Sequence, residues 1–106
     1  MNKPGLIALY RWRLYPGRED AFVQAWSNVT QALRGRGSLG SRLHRGPDDV
    51  WYGYAQWPDD ATRQAAFAAD DPALGADIEA MRAAVAERMP ELLLEPVADF
   101  LVLPAA

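Results

Sequence analysis

The stretch Ser38 to Trp57, SLGSRLHRGPDDVWYGYAQW, holds the side chains best able to bind or react. His44 is the chain's one histidine. Imidazole has an unperturbed pKa near neutrality, which makes His44 the natural candidate for proton transfer. Arg42 carries a permanent charge that can hold a carboxylate, phenolate or enolate through charge-assisted hydrogen bonds. Trp51 and Trp57 offer flat apolar walls for an aromatic ring. Gly40, Gly53 and Ala55 are small where a sheet interior favours large β-branched side chains, so they leave room either for a ligand or for a closely packed helix. Together these residues suit deprotonation of an acidic aromatic and stabilisation of the resulting oxyanion. Each also has a plain structural use: a hydrogen-bonded histidine, a charge guarding a sheet edge, and tryptophans filling the core under helices.

These side chains meet only if the stretch is a β-hairpin in the right register. Gly46, Pro47, Asp48 and Asp49 have the composition of a turn. With those four as the loop, Arg45 stands opposite Val50, His44 opposite Trp51, Arg42 opposite Gly53, Gly40 opposite Ala55 and Ser38 opposite Trp57. Alternation then projects that whole set from one side of the sheet. Tyr52 and Tyr54 point the other way, toward a packing surface.

Around the hairpin, residues 5–14 alternate as a strand, with Leu6, Ala8, Tyr10, Trp12 and Leu14 on one side and Ile7, Leu9, Arg11 and Arg13 on the other. Pro16 and Gly17 break it. Phe22, Trp26, Val29 and Leu33 then recur at helical spacing, with Glu19 and Asp20 in the first turn, where the helix dipole favours acids. Pro58, Asp59 and Asp60 start a short helix to about Ala69. Asp71 offers an N-cap with Pro72 at the first helical position, and Leu74, Ile78, Met81 and Val85 form an apolar stripe. Pro90 ends that helix, and residues 92–103 read as a final strand with Pro96 at an edge or bulge. Glu91, Glu95 or Asp99 would balance Arg11 and Arg13.

The order strand, helix, strand, strand, helix, strand is the ferredoxin-like βαββαβ pattern of the α+β class, an antiparallel four-stranded sheet with helices on one face. A chain of 106 residues is a single domain, 1–106, with one modest core. The net charge of -3 argues against nucleic acid or an anionic membrane as partner. Without cysteine there is no thiolate nucleophile, and one histidine with paired aspartates at turns and caps makes no transition-metal site. No phosphate-binding glycine loop occurs. The opening residues lack the pattern of a signal peptide and no run reaches membrane-spanning length, so the expected location is cytoplasmic.

The segments YRWRLYPGREDAFVQAW, LGSRLHR and WYGYAQWPDD resemble the antibiotic biosynthesis monooxygenase family of the dimeric α/β-barrel superfamily, from about Tyr10 to Ala69. The resemblance implies a homodimer whose two sheets close into a barrel, and a pocket between sheet and helices lined by a tryptophan at the end of the third strand, the position of Trp57. It implies oxygenation of phenolic or polycyclic aromatics without metal or flavin, since the deprotonated substrate is itself the electron donor. The chain departs from the family in one respect. Oxygenating members pair that tryptophan with an asparagine, whereas here the asparagines are Asn2 and Asn28 and Gly53 stands four residues ahead of Trp57. Haem-degrading relatives carry a histidine on the second helix, and residues 58–88 contain none.

The expected function is therefore a cofactor-independent monooxygenase of a small phenol- or hydroquinone-type aromatic. His44 and Trp57 would be catalytic, and Arg42, Trp51 and Gly53 would bind substrate. The alternative is a non-catalytic dimeric barrel that binds a small molecule or acts as an accessory protein. Burying the open sheet face requires a second copy. Sedimentation at micromolar concentration is expected to give twice the chain mass, and a monomer mass would refute the pairing.

Overall fold

The computed structural model describes residues 3–102. The alternating segment forms β1 (Leu6–Leu14) and the helical repeat forms α1 (Glu19–Arg34). The hairpin follows as β2 (Ser41–Arg45) and β3 (Trp51–Trp57). Then come α2 (Asp60–Ala68), α3 (Pro72–Ala84) and β4 (Val85–Leu94). The four strands form one antiparallel sheet in the order β2-β3-β1-β4, the ferredoxin-like arrangement, with the helices packed on one face. Within one chain the sheet does not close into a barrel. Among the described residues, no helix is long and apolar enough to cross a membrane.

The helix starts follow local chemistry. The Asp59 carboxylate accepts from the Thr62 N–H at 2.7 Å, and the Asp71 carboxylate accepts from the Leu74 N–H at 3.1 Å, so each caps orphan donors at a helix N-terminus. Pro72 takes the first turn of α3, where its missing N–H costs nothing. Asp71 also pairs at 2.6 Å with Arg36, which ties the end of α1 to the start of α3.

Two expectations fail, each for an identifiable reason. The stripe Leu74, Ile78, Met81 and Val85 does not mark one helix running to Pro90. The helix stops at Ala84, whose carbonyl accepts from the Tyr15 N–H at 2.9 Å, and Val85 opens a strand opposite Leu14. Pro90 lies inside β4 where the register shifts between Leu9 and Arg11, a bulge on an edge strand that tolerates a residue without an N–H. The expected strand over 92–103 is therefore displaced: the described part beyond Leu94 carries no strand, and residue 103 lies outside the described residues.

The second correction is the hairpin register. Asp49 adopts a left-handed backbone with φ 60, which aspartate tolerates better than most residues. The Asp49 N–H donates to the Gly46 carbonyl at 3.2 Å, and the Gly46 N–H donates to the Val50 carbonyl at 2.8 Å. Pro47, Asp48 and Asp49 thus form a three-residue loop, a turn followed by one left-handed residue, rather than a loop of four. Arg45 pairs with Trp51, His44 with Tyr52, Leu43 with Gly53, Arg42 with Tyr54 and Ser41 with Ala55. A shift of one residue sends every β2 side chain to the opposite face.

The core lies between sheet and helices. Ala8, Val29, Leu33, Ala55, Trp57, Ala66 and Leu74 form one cluster, and Trp12, Phe22 and Ala84 a second. Phe22 is fully buried, with its ring edge against Trp12 at 5.1 Å and Trp51 at 6.2 Å.

The cap at Asp71 predicts a pH dependence. The backbone hydrogen bond from Leu74, followed by the bond from Arg36, holds this carboxyl below its usual range. A lowered folded-state value means that the unfolded chain binds the proton more readily, so the stabilisation is present above about pH 4 and lost as pH falls further. Asp71→Asn is expected to lower the melting temperature at pH 6, with the gap to wild type shrinking at pH 3. A gap independent of pH in circular dichroism melts would contradict this.

Candidate functional site

A cavity of about 830 Å³ opens between the helices and the sheet. Its floor is the helix-facing side of β1 and β3, where Tyr10, Trp12, Gly53, Ala55 and Trp57 alternate inward. Gly53 is required there: a Cβ at this position would meet the Trp12 ring at 2.8 Å. The space above Gly53 is thus taken by the indole of the neighbouring strand, and the missing side chain serves packing before it serves a ligand. Trp12 stacks in turn on Tyr10, with ring centroids 5.9 Å apart. Trp26 and Leu33 of α1, Phe67 of α2, and Ile78 and Met81 of α3 complete the apolar walls. Trp57 is 1% exposed, and the Phe67 ring tilts against it at 6.3 Å.

The polar part of the lining converges on Arg63. Its Nε donates to Asp60 at 2.8 Å, and its Nη1 donates to the Tyr10 hydroxyl at 3.1 Å and to Glu91 at 3.3 Å. One side chain of α2 therefore ties β1 to β4. Burial works against the charge of Arg63, but the bonds from Asp60 and Tyr10 outweigh it and raise its pKa above the ordinary value. Burial also raises the pKa of the Tyr10 hydroxyl, with the Arg63 hydrogen bond opposing the rise, so Tyr10 is a neutral phenol at physiological pH. Its oxygen accepts from Arg63 while its own proton remains available to a ligand. Glu91 is the only carboxylate among the described lining residues.

The residues singled out in the sequence divide into two groups. Trp57 and Gly53 line the cavity. Trp51 faces the helices as expected, yet it packs on Phe22 beneath the Arg45 guanidinium, 5.4 Å from its ring, and does not reach the cavity. His44 and Arg42 are exposed on the opposite face beside Tyr52 and Tyr54, because the left-handed Asp49 shifts the register. Neither stands in the cavity. Arg11 donates to the Pro90 carbonyl and Arg13 to the Asp48 carbonyl, so neither uses Glu91 as partner. Asn28 bonds Asp77 and Gln24 and is not part of the lining. The alternation of β1 sets Tyr10 on one side with Trp12, without marking that side as inward or giving Tyr10 a role. Arg63 carried a signal too, since it follows Asp60 by three residues on a helix that starts directly after Trp57.

No protein-family model matches the sequence, and no curated protein matches it. Solved structures do match the fold. SnoaB, named as a cofactor-independent oxygenase from Streptomyces nogalater, superposes with a TM-score of 0.76 at 17% identity over 92% of this chain and 98% of that one. A candidate antibiotic biosynthesis monooxygenase of Chloroflexus aurantiacus gives 0.75 at 18% identity over 89% and 94%. One of Bordetella bronchiseptica gives 0.73 at 17% over 91% and 100%. The chain therefore has the fold of the antibiotic biosynthesis monooxygenases, as its sequence resemblance implied. At these identities the likeness concerns the fold.

The contact between Gly53 and Trp12 is testable by itself. Gly53→Ala is expected to cost about 1–3 kcal/mol, because the ring must move out of a packed floor. The same change should alter the near-ultraviolet circular dichroism of the tryptophans. A variant with unchanged spectrum and stability would show that the ring does not rest on the glycine.

Proposed function

We propose that this chain is a cofactor-independent monooxygenase of a small phenol- or hydroquinone-type aromatic, bound in the cavity between sheet and helices. One observation carries the reading: a cavity with tryptophan and phenylalanine walls holds a single hydrogen-bonded cluster of a phenol, a guanidinium and a carboxylate. Trp57 and Phe67, packed against each other, form one aromatic wall for the ring, and Trp12 over Gly53 forms the floor. Glu91 accepts the proton of a substrate hydroxyl. The Tyr10 hydroxyl, polarised by Arg63, donates to the oxyanion that develops. The electron-rich ring then reduces dioxygen. One oxygen atom bonds to a ring carbon and the other leaves as water, so that a hydroquinone and dioxygen give a hydroxyquinone and water. The roles expected of His44 and Arg42 thus pass to Glu91 and to the Tyr10–Arg63 pair. The fold likeness to SnoaB, named as a cofactor-independent oxygenase, agrees with this reading.

A second copy completes the assembly in this account. The outer sheet face carries Leu9, Tyr52, Tyr54, Leu92 and Leu94, with Leu92 and Leu94 about two-fifths exposed. Two such faces pressed together form the homodimeric barrel, and His44 and Arg42 then border the seam between subunits. The non-catalytic reading keeps one specific support: among the described residues, no asparagine lines the cavity beside Trp57.

Oxygen uptake with a panel of hydroquinones separates the readings. Wild type should consume oxygen, Glu91→Gln and Trp57→Phe should lose roughly 100-fold, and His44→Ala should retain the wild-type rate. Binding without uptake in wild type would favour the non-catalytic barrel. Loss confined to His44→Ala would overturn the assignment of roles.

A further inference from the structure

The chain as a whole is acidic, yet among the described residues the charged groups of the cavity lining are three guanidiniums, Arg63, Arg82 and Arg88, against the one carboxylate of Glu91. Two of these guanidiniums converge on the same atom. Glu91 Oε2 lies 3.3 Å from Arg63 Nη1 and 3.8 Å from Arg88 Nη2. A single carboxylate oxygen thus stands between two fixed charges. Arg63 is further neutralised by Asp60, and Arg82 by Glu79 at 2.6 Å. Arg88 has no partner other than Glu91 among the described residues and is 57% exposed. Arg63 spends its Nε and Nη1 hydrogens on Asp60, Tyr10 and Glu91, while Nη2 makes no hydrogen bond among the described residues. Its side chain is only 12% exposed, but Nη2 is not among the buried unpartnered atoms, so its donors remain open to a ligand or to water.

We infer that the ligand of this cavity is an aromatic carboxylate, with its carboxylate held by Arg63 Nη2 and Arg88 and its ring directed to the tryptophan wall. A planar monoanion fits better than a phosphate. Asp60 and Glu91 already balance the charges of Arg63 and Arg88, so the cluster holds no surplus of positive charge that would favour a dianion. The fork of a guanidinium matches a carboxylate, and a carboxylate conjugated with a ring stays flat between aromatic walls. As a statement of substrate class this deepens the monooxygenase reading and rests on it; as a statement of binding it stands alone.

The test uses the full chain and a matched pair, 1,4-dihydroxy-2-naphthoic acid and naphthalene-1,4-diol, with affinity read from tryptophan fluorescence and turnover from oxygen uptake. The acid should bind roughly tenfold or more tightly than the diol, in keeping with a hydrogen bond to a charged group. That preference should fall to within about threefold in Arg63→Gln and in Arg88→Gln. Arg88 ties no elements together beyond its contact with Glu91, so its variant reads the preference even if Arg63→Gln disturbs the fold. Equal affinity for acid and diol in wild type, or a preference undiminished in folded Arg88→Gln, overturns the inference. Tighter binding of the acid with no oxygen uptake supports the ligand class and removes the monooxygenase. Uptake with both compounds at equal affinity does the reverse.

Discussion

A guanidinium in a mostly apolar wall must find acceptors, and Arg63 finds them on three different elements. Asp60 comes from its own helix, Tyr10 from the central strand β1 and Glu91 from the edge strand β4. Those bonds fix how far α2 stands from the sheet. They also fix the bulged part of β4, because Glu91 follows Pro90, whose carbonyl is held by Arg11 from the other face of the sheet. The cavity exists because large aromatic side chains hold the layers apart at its floor while Arg63 holds them together across the strands. A lysine would not do the same, since its three donors radiate from one nitrogen, whereas Arg63 reaches Asp60 with Nε and Tyr10 and Glu91 with Nη1.

His44 and Arg42, in the chain's most reactive-looking stretch, stand outside the cavity for a local reason. Asp49 adds one left-handed residue to the β2–β3 connection, and that single residue decides which way β2 faces. His44 and Arg42 then join Tyr52 and Tyr54 on the open side of the sheet, while Ser41 and Leu43 turn inward.

Much of this was legible beforehand, and the limits are physical. The alternation in residues 5–14, the caps at Asp59 and Asp71 and the helical stripe of α1 all arise from local chemistry, and each expected element is present. The four-stranded ferredoxin-like sheet follows from their order. Two features were not local. Turn composition does not distinguish three loop residues from four, since Gly-Pro-Asp-Asp suits either, and the outcome depends on whether one aspartate turns left-handed. The apolar stripe through Val85 is continuous in sequence, yet pairing with β1 opposite Leu14 outweighs helix continuation. Trp57 and Gly53 were found because they lie on β3, whose alternation does not depend on the loop. Arg63 and Glu91 belong to elements distant in sequence, and only the folded chain brings them together.

The central claim is that aromatic anions enter between sheet and helices and meet Arg63 and Trp57, far from His44. Nuclear magnetic resonance tests this most directly, by titrating labelled protein with 1,4-dihydroxy-2-naphthoic acid under anaerobic conditions. The account predicts that the Arg63 Nε–H and the indole resonances of Trp57 and Trp12 shift, with the ring protons of His44 unmoved. Shifts centred on His44 and Arg42, with Arg63 and Trp57 unchanged, would contradict it.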